Sequence, residues 1–112
     1  MVKISIKDVC FSYSSIPVLN NVSINIESAN FVSIVGPNGG GKSTLLKCIN
    51  KILFPHSGDI YLESLNLRQM KRMGIARNFA YVPQSTKRAF PTTVFETVLM
   101  GRRPYLGWTN SE

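Results

Sequence analysis

The chain has 112 residues, 44% of them apolar and 17% charged, which is at most one domain. It is small for an α/β nucleotide-binding fold, where each parallel return takes about 30 residues or more. No apolar run reaches the roughly 18 residues of a membrane span, and the first residues alternate like a strand without a signal peptide's apolar centre. Thirteen basic against six acidic residues give a net charge of +7, but the charges are dispersed, and the densest segment, Arg68 to Arg88, has no aromatic interleaving on one face, which speaks against a specific nucleic-acid site.

In chain order, Val2, Ile4 and Ile6 alternate with Lys3, Ser5 and Lys7, the pattern of a strand with one wet face. Phe11-Ser12-Tyr13 follows, and Val22, Ile24 and Ile26 form a second alternating run. The two read as an antiparallel pair joined by the loop that carries Tyr13. Ser28-Ala29-Asn30 is the next turn, with Asn30 suited to a left-handed conformation. Residues 31–35, Phe-Val-Ser-Ile-Val, read as a buried strand. Cys10 and Cys48 have no metal-ligand spacing and no CxxC pattern, so both read as free, buried or half-buried thiols.

Gly36-Pro37-Asn38-Gly39-Gly40-Gly41-Lys42-Ser43-Thr44 fits GxxxxGK[ST], the phosphate-cradling P-loop. Glycines let the backbone turn through positive φ and present successive N–H groups to phosphate oxygens. The helix that follows adds the unpaired donors and partial positive charge of its N-terminus. In this motif Lys42 reaches the β- and γ-phosphates and Ser43 ligates Mg²⁺, so ATP or GTP with Mg²⁺ is the expected ligand pair. Leu45, Leu46, Ile49, Ile52 and Leu53 recur at helical spacing, and Pro55 and Gly58 are expected to close that helix. Residues 59–63 read as a short strand, Leu67, Met70 and Met73 as a brief basic helix before Gly74, and residues 79–82 as a strand ending at Pro83-Gln84. Thr93 and Glu96 have the spacing of a capping box for a helix over 94–100, with Gly101 as its C-cap.

Tyr13 lies 29 residues before Lys42, and Gln84 lies 42 residues after it in Tyr81-Val82-Pro83-Gln84. With these residues around the P-loop, the chain resembles the nucleotide-binding subunits of ABC transporters over nearly its whole length. The stretch 93–108, ending Gly101-Arg102-Arg103-Pro104-Tyr105-Leu106-Gly107-Trp108, is similar to subunits that serve importers of iron chelates, haem and cobalamin. The implied fold is an α/β P-loop NTPase fold of the ABC type, with an N-terminal antiparallel β segment and an incomplete core sheet. It implies three parts within one domain: 1–30, the antiparallel segment with the adenine-stacking loop; 31–84, the core from P-loop to Q-loop; and 85–112, the start of a helical subdomain.

The resemblance assigns roles residue by residue. Tyr13 is the aromatic that stacks on adenine, and Val18 packs near the ribose or base. The segment from Gly36 through Thr44 wraps the phosphates of ATP. Ser43 and Gln84 attend Mg²⁺, with Gln84 also approaching the attacking water and coupling the site to a membrane partner. Partners are a second ATP-binding subunit and a transmembrane permease met by residues 85–103, where Phe90 and Phe95 suit such a contact. The location implied is cytoplasmic, peripheral on the inner membrane face. An ABC ATPase also carries an LSGGQ-type signature, an acidic strand end, a catalytic Glu and a switch His, and none occurs in these 112 residues. His56 directly follows Pro55 and is no counterpart of the switch His, so it reads as a loop residue without a role. The expectation is therefore ATP and Mg²⁺ binding without hydrolysis by these residues alone. A binding-only regulatory nucleotide module is the alternative, and a basic nucleic-acid-binding protein the remote one.

Overall fold

The structure, a computed structural model, describes residues 3–83 and 93–105. It divides into two compact units, 1–70 and 71–112, each taken by itself below.

The first unit is built on a long hairpin. Strand β1 (Ile4–Tyr13) pairs antiparallel with β2 (Ile16–Ile26), from Ile4 opposite Ile26 to Tyr13 opposite Ile16. A two-residue turn closes it, with Ser14 left-handed at φ 54°. Strand β3 (Ser57–Leu62) adds antiparallel to the other edge of β1, and the short β4 (Leu65–Asn66) pairs with β3, giving the order β2-β1-β3-β4. Of the alternating residues described, Ile6 is buried while Ile4, Val22, Ile24 and Ile26 are half-buried; Val9, Phe11, Leu19, Ile60 and Leu62 join Ile6 in the core.

The strands are not regular. Register shifts fall at 6–9 of β1 and at 9–11 of β1 against 19–22 of β2, and Asp8 and Asn21 sit there at φ 50°. Asp and Asn tolerate that conformation because their short side chains bond locally. Here Ser23 Oγ accepts from the Asp8 N–H and donates to the Asp8 carboxylate, while the Asn21 N–H donates to Cys10 Sγ.

Helix α1 (Lys42–Ile49) buries Thr44, Leu45, Cys48 and Ile49. It stops a turn earlier than the apolar spacing suggests, because Lys51 turns left-handed at φ 59°. The Lys51 N–H then bonds the Cys48 carbonyl and the Ile52 N–H the Lys47 carbonyl, the Schellman pattern of a closed helix end. Ile52 and Leu53 therefore lie beyond the helix, and Gly58 belongs to β3. At the turn before residue 31 the left-handed residue is Ala29, at φ 62°, and not Asn30.

Residues 31–35, expected as a buried strand, join no sheet and are exposed, Phe31 at 95% and Val35 at 88%. A strand exists through its ladder, and among the described residues no segment lies beside this one as a partner. The run 79–82 is likewise unpaired, although Phe79 itself is extended.

After β4, a 3-10 turn at Leu67–Gln69 is capped by the Asn66 side chain, and Met70 is extended. In the second unit α2 (Arg72–Asn78) follows an extended Lys71 and carries Gly74 within it. The expected single basic helix before Gly74 is thus two pieces, split where Met70 and Lys71 leave helical geometry. Helix α3 (Val94–Arg102) begins as its sequence announces, with Thr93 Oγ1 accepting from the Glu96 N–H at 3.1 Å. Gly101 lies inside α3 and does not cap it, since Arg103 stays right-handed and leads into a 3-10 turn at Arg103–Tyr105. The Arg77 side chain donates to the Pro104 carbonyl and the Tyr105 hydroxyl to the Arg77 carbonyl.

Candidate functional site

The glycine-rich loop folds as its composition dictates. Gly39 takes φ 82° and Gly41 φ 90°, and the Gly40 N–H bonds back to the Pro37 carbonyl at 3.1 Å. A Cβ on Gly39 would meet nothing within 4 Å, so the outer side of the loop is open to approach. Gly41 has the opposite surroundings: a Cβ there would stand 3.0 Å from both Val18 Cγ1 and Leu19 Cδ2. Val18, half-buried, and the buried Leu19 thus press β2 against the start of α1.

Gly41 caps α1 without a side-chain bond, and the first helical bond runs from the Leu45 N–H to the Gly41 carbonyl at 2.9 Å. The N–H groups of Lys42, Ser43 and Thr44 come before that ladder begins and point out of the helix start. No acidic residue occupies the first turn to compete for them. Lys42 Nζ folds over the loop and donates to the Gly36 and Pro37 carbonyls, each at 2.6 Å. The Lys42 side chain beside this row of N–H donors is the kind of arrangement that can cradle an anion.

The hairpin delivers Tyr13 to this cradle. Its hydroxyl lies 3.4 Å from Oγ1 of the buried Thr44, while the residue stays 46% exposed. Tyr13 also stands edge-on to Phe11, with ring centroids 4.9 Å apart. Phe11 stacks in turn on His56 at 5.1 Å.

The structure therefore sets Tyr13 beside Thr44 and Val18 beside Gly41, at the junction of the glycine-rich loop with α1. Ser43 is exposed at the helix start. Gln84, Phe90 and Trp108 lie outside the described residues. Phe95, on α3, is exposed. The two cysteines are free, Cys10 half-buried and Cys48 buried. A hydrogen bond from Ser57 and another from the Asn21 backbone hold the Cys10 thiol below its ordinary range, and burial pushes Cys48 up. Among the described residues no His, Cys, Asp or Glu cluster could hold a metal by itself. Mg²⁺ bound through nucleotide phosphates needs no such cluster, because substrate oxygens and water complete its shell.

A family model described as ABC transporter matches residues 19–111. The chain belongs to the ABC transporter family. Among its relatives, an ABC transporter ATP-binding protein of Methanocaldococcus jannaschii is 41% identical over 109 residues, 97% of this chain and 42% of that protein. The high-affinity zinc uptake ATP-binding protein of Bacillus subtilis is 45% identical, over 88% of this chain and 42% of its own length. The petrobactin import ATP-binding protein of Bacillus anthracis is 34% identical, over 94% and 39%. The solved structure of an ATP-binding subunit of an ABC transporter superposes with a TM-score of 0.79 at 27% identity, covering 91% of this chain and 42% of that one. The ABC chain therefore spans about two fifths of the length of these relatives. Its fold is the N-terminal part of the P-loop ABC fold, with the antiparallel β segment and an incomplete core sheet. Among the described residues no helix is long and apolar enough to cross a membrane.

Proposed function

We propose that the chain supplies the nucleotide-binding part of an ABC importer's ATP-binding subunit. The observation that carries this reading is the meeting of Tyr13 with Thr44, which sets an exposed aromatic ring beside the anion cradle. An aromatic ring beside a phosphate cradle favours a nucleotide over bare phosphate, since a base can stack on it. The adenine stacks on Tyr13, with Val18 near the base or ribose. The N–H groups between Asn38 and Thr44 hold the phosphates, and Lys42 leaves the two loop carbonyls to pair with the terminal phosphates. Ser43 and Gln84 attend Mg²⁺, which supplies charge neutralisation on the phosphate oxygens when bound. The division into 1–30, 31–84 and 85–112 belongs to the same reading.

In the assembly proposed, the subunit lies on the inner face of the membrane, pairs with a second ATP-binding subunit and meets its permease through residues 85–103. Residues 93–108 favour uptake of an iron chelate, haem or cobalamin. Zinc uptake is a second reading, favoured by relatives named for zinc transport in Bacillus subtilis and Streptococcus pneumoniae at 45% and 38% identity.

The test is equilibrium binding of a fluorescent ATP analogue to the chain with and without Mg²⁺. Saturable binding, weakened at least about tenfold by Lys42→Ala, is expected from loss of a charge-assisted phosphate contact. Binding unchanged in that variant overturns the assignment. The same preparation should release no phosphate at a steady rate, because phosphoryl transfer to water needs a positioned nucleophile as well as a clamp.

A further inference from the structure

His56 follows Pro55 and ends the connection from α1 to β3, where the sequence gives it no chemistry. The structure gives it three contacts, all on the last four residues of β1. Strand β3 pairs with β1 only as far as Ser57 opposite Cys10, so among the described residues Phe11, Ser12 and Tyr13 have no strand partner on that edge. His56 takes over there. Its N–H donates to the Cys10 carbonyl at 2.9 Å, and its ring Nε2 lies 3.0 Å from the Ser12 carbonyl, the next carbonyl facing the same edge. A carbonyl only accepts, so Nε2 carries the proton in this contact. The imidazole thus adds one rung to the ladder beyond the end of β3.

The ring has a second use. It lies nearly parallel to Phe11, 18° between planes and 5.1 Å between centroids, and Phe11 stands at 81° to Tyr13. Phe11 is buried, whereas Tyr13 is exposed. Tyr13 is therefore in edge contact with Phe11, Phe11 is stacked on His56, and the backbone between the two aromatics is tied to His56 through Ser12.

We propose that His56 is a positioning residue for Tyr13, fixing the angle and height of the ring over the anion cradle. The inference rests on the reading of Tyr13 as the adenine platform. Losing the rung and the stack frees the end of β1, and a ring that samples several orientations stacks on a base less well. The expected loss is in base recognition, with phosphate recognition intact, because the cradle is built on α1 and its loop.

The experiment uses the full chain and two competitors of a fluorescent ATP analogue: ATP, which has a base, and inorganic tripolyphosphate, which has none. Tyr13→Ala and His56→Ala should each weaken ATP roughly three- to tenfold, the scale of an aromatic stacking contact, and leave tripolyphosphate unchanged. The double variant should lose no more than Tyr13→Ala alone. His56→Gln keeps a donor for Ser12, His56→Phe keeps the ring on Phe11, and each should recover part of the loss. If Tyr13→Ala weakens ATP and His56→Ala does not, the proposal falls while the adenine reading stands. If Tyr13→Ala changes nothing, the adenine reading fails and takes this one with it. Equal loss of ATP and tripolyphosphate in His56→Ala marks a merely structural residue and also overturns the proposal. Should His56→Ala fail to fold by circular dichroism, the Gln and Phe variants decide, and ATP affinity unchanged in both overturns it.

Discussion

Gly58 shows how a single position can be dictated by a neighbour far away in sequence. It sits at φ 84°, and a Cβ placed on it would stand 2.2 Å from the Asp8 carbonyl oxygen and 2.6 Å from that of Lys7. Those oxygens are close because β1 bulges at Asp8, and the bulge is held by Ser23 from the other side. Neither partner can yield without breaking a ladder. Gly58→Ala therefore meets both an unfavourable φ and a backbone clash, and should destabilise the fold by about 2 kcal/mol or more. Gly39→Ala has the same φ cost but no clash, since nothing lies within 4 Å. Urea unfolding of the two variants side by side checks this: Gly58→Ala should shift the midpoint clearly further, and equal shifts would mean that the bulge contact contributes nothing.

At the scale of elements, α3 is the one most dependent on its cap. None of its described residues is buried, and Val94, Phe95, Val98 and Met100 are exposed. Its burial contributes little, so the bond from the Glu96 N–H to Thr93 Oγ1 carries an unusual share of its stability. Thr93→Ala should cost roughly 1 kcal/mol locally, and Thr93→Asn should restore most of it. Amide exchange at Glu96 and Thr97 reads this directly: faster exchange in the Ala variant alone is expected, and identical exchange in all three proteins would refute it. The Thr93–Glu96 spacing was visible in the sequence because a cap is a local device. The β1–β2 hairpin and the glycine turn into α1 are legible for the same reason, through alternation and through glycine spacing. The end of α1 is not, because Lys51 enters the left-handed region without the glycine that would announce it. His56 is illegible too, since its partners Phe11 and Ser12 are more than 40 residues away. The strands expected at 31–35 and 79–82 failed for a third reason. An apolar β-branched run states a preference, and pairing decides whether that preference becomes a strand.

For the whole molecule, that unfulfilled preference has a consequence in solution. Residues 31–35 combine high β propensity with no charge and no proline, and Phe31 and Val35 are almost fully exposed. Such a segment, unpaired among the described residues, presents free N–H and C=O groups together with apolar side chains, the combination that recruits another chain. The net charge of +7 opposes close approach, but salt screens that repulsion over about 10 Å at 0.1 M ionic strength. Association should therefore strengthen as salt is raised, the reverse of what charge-driven contact would give. Sedimentation velocity across a concentration series, at low and at moderate salt, should show self-association that grows with both. Val32→Lys with Val35→Lys should suppress it, because a charge on the segment makes stacking of like copies unfavourable. A monomer at all concentrations and salts, or association untouched by the two lysines, would show that this segment is satisfied in some other way.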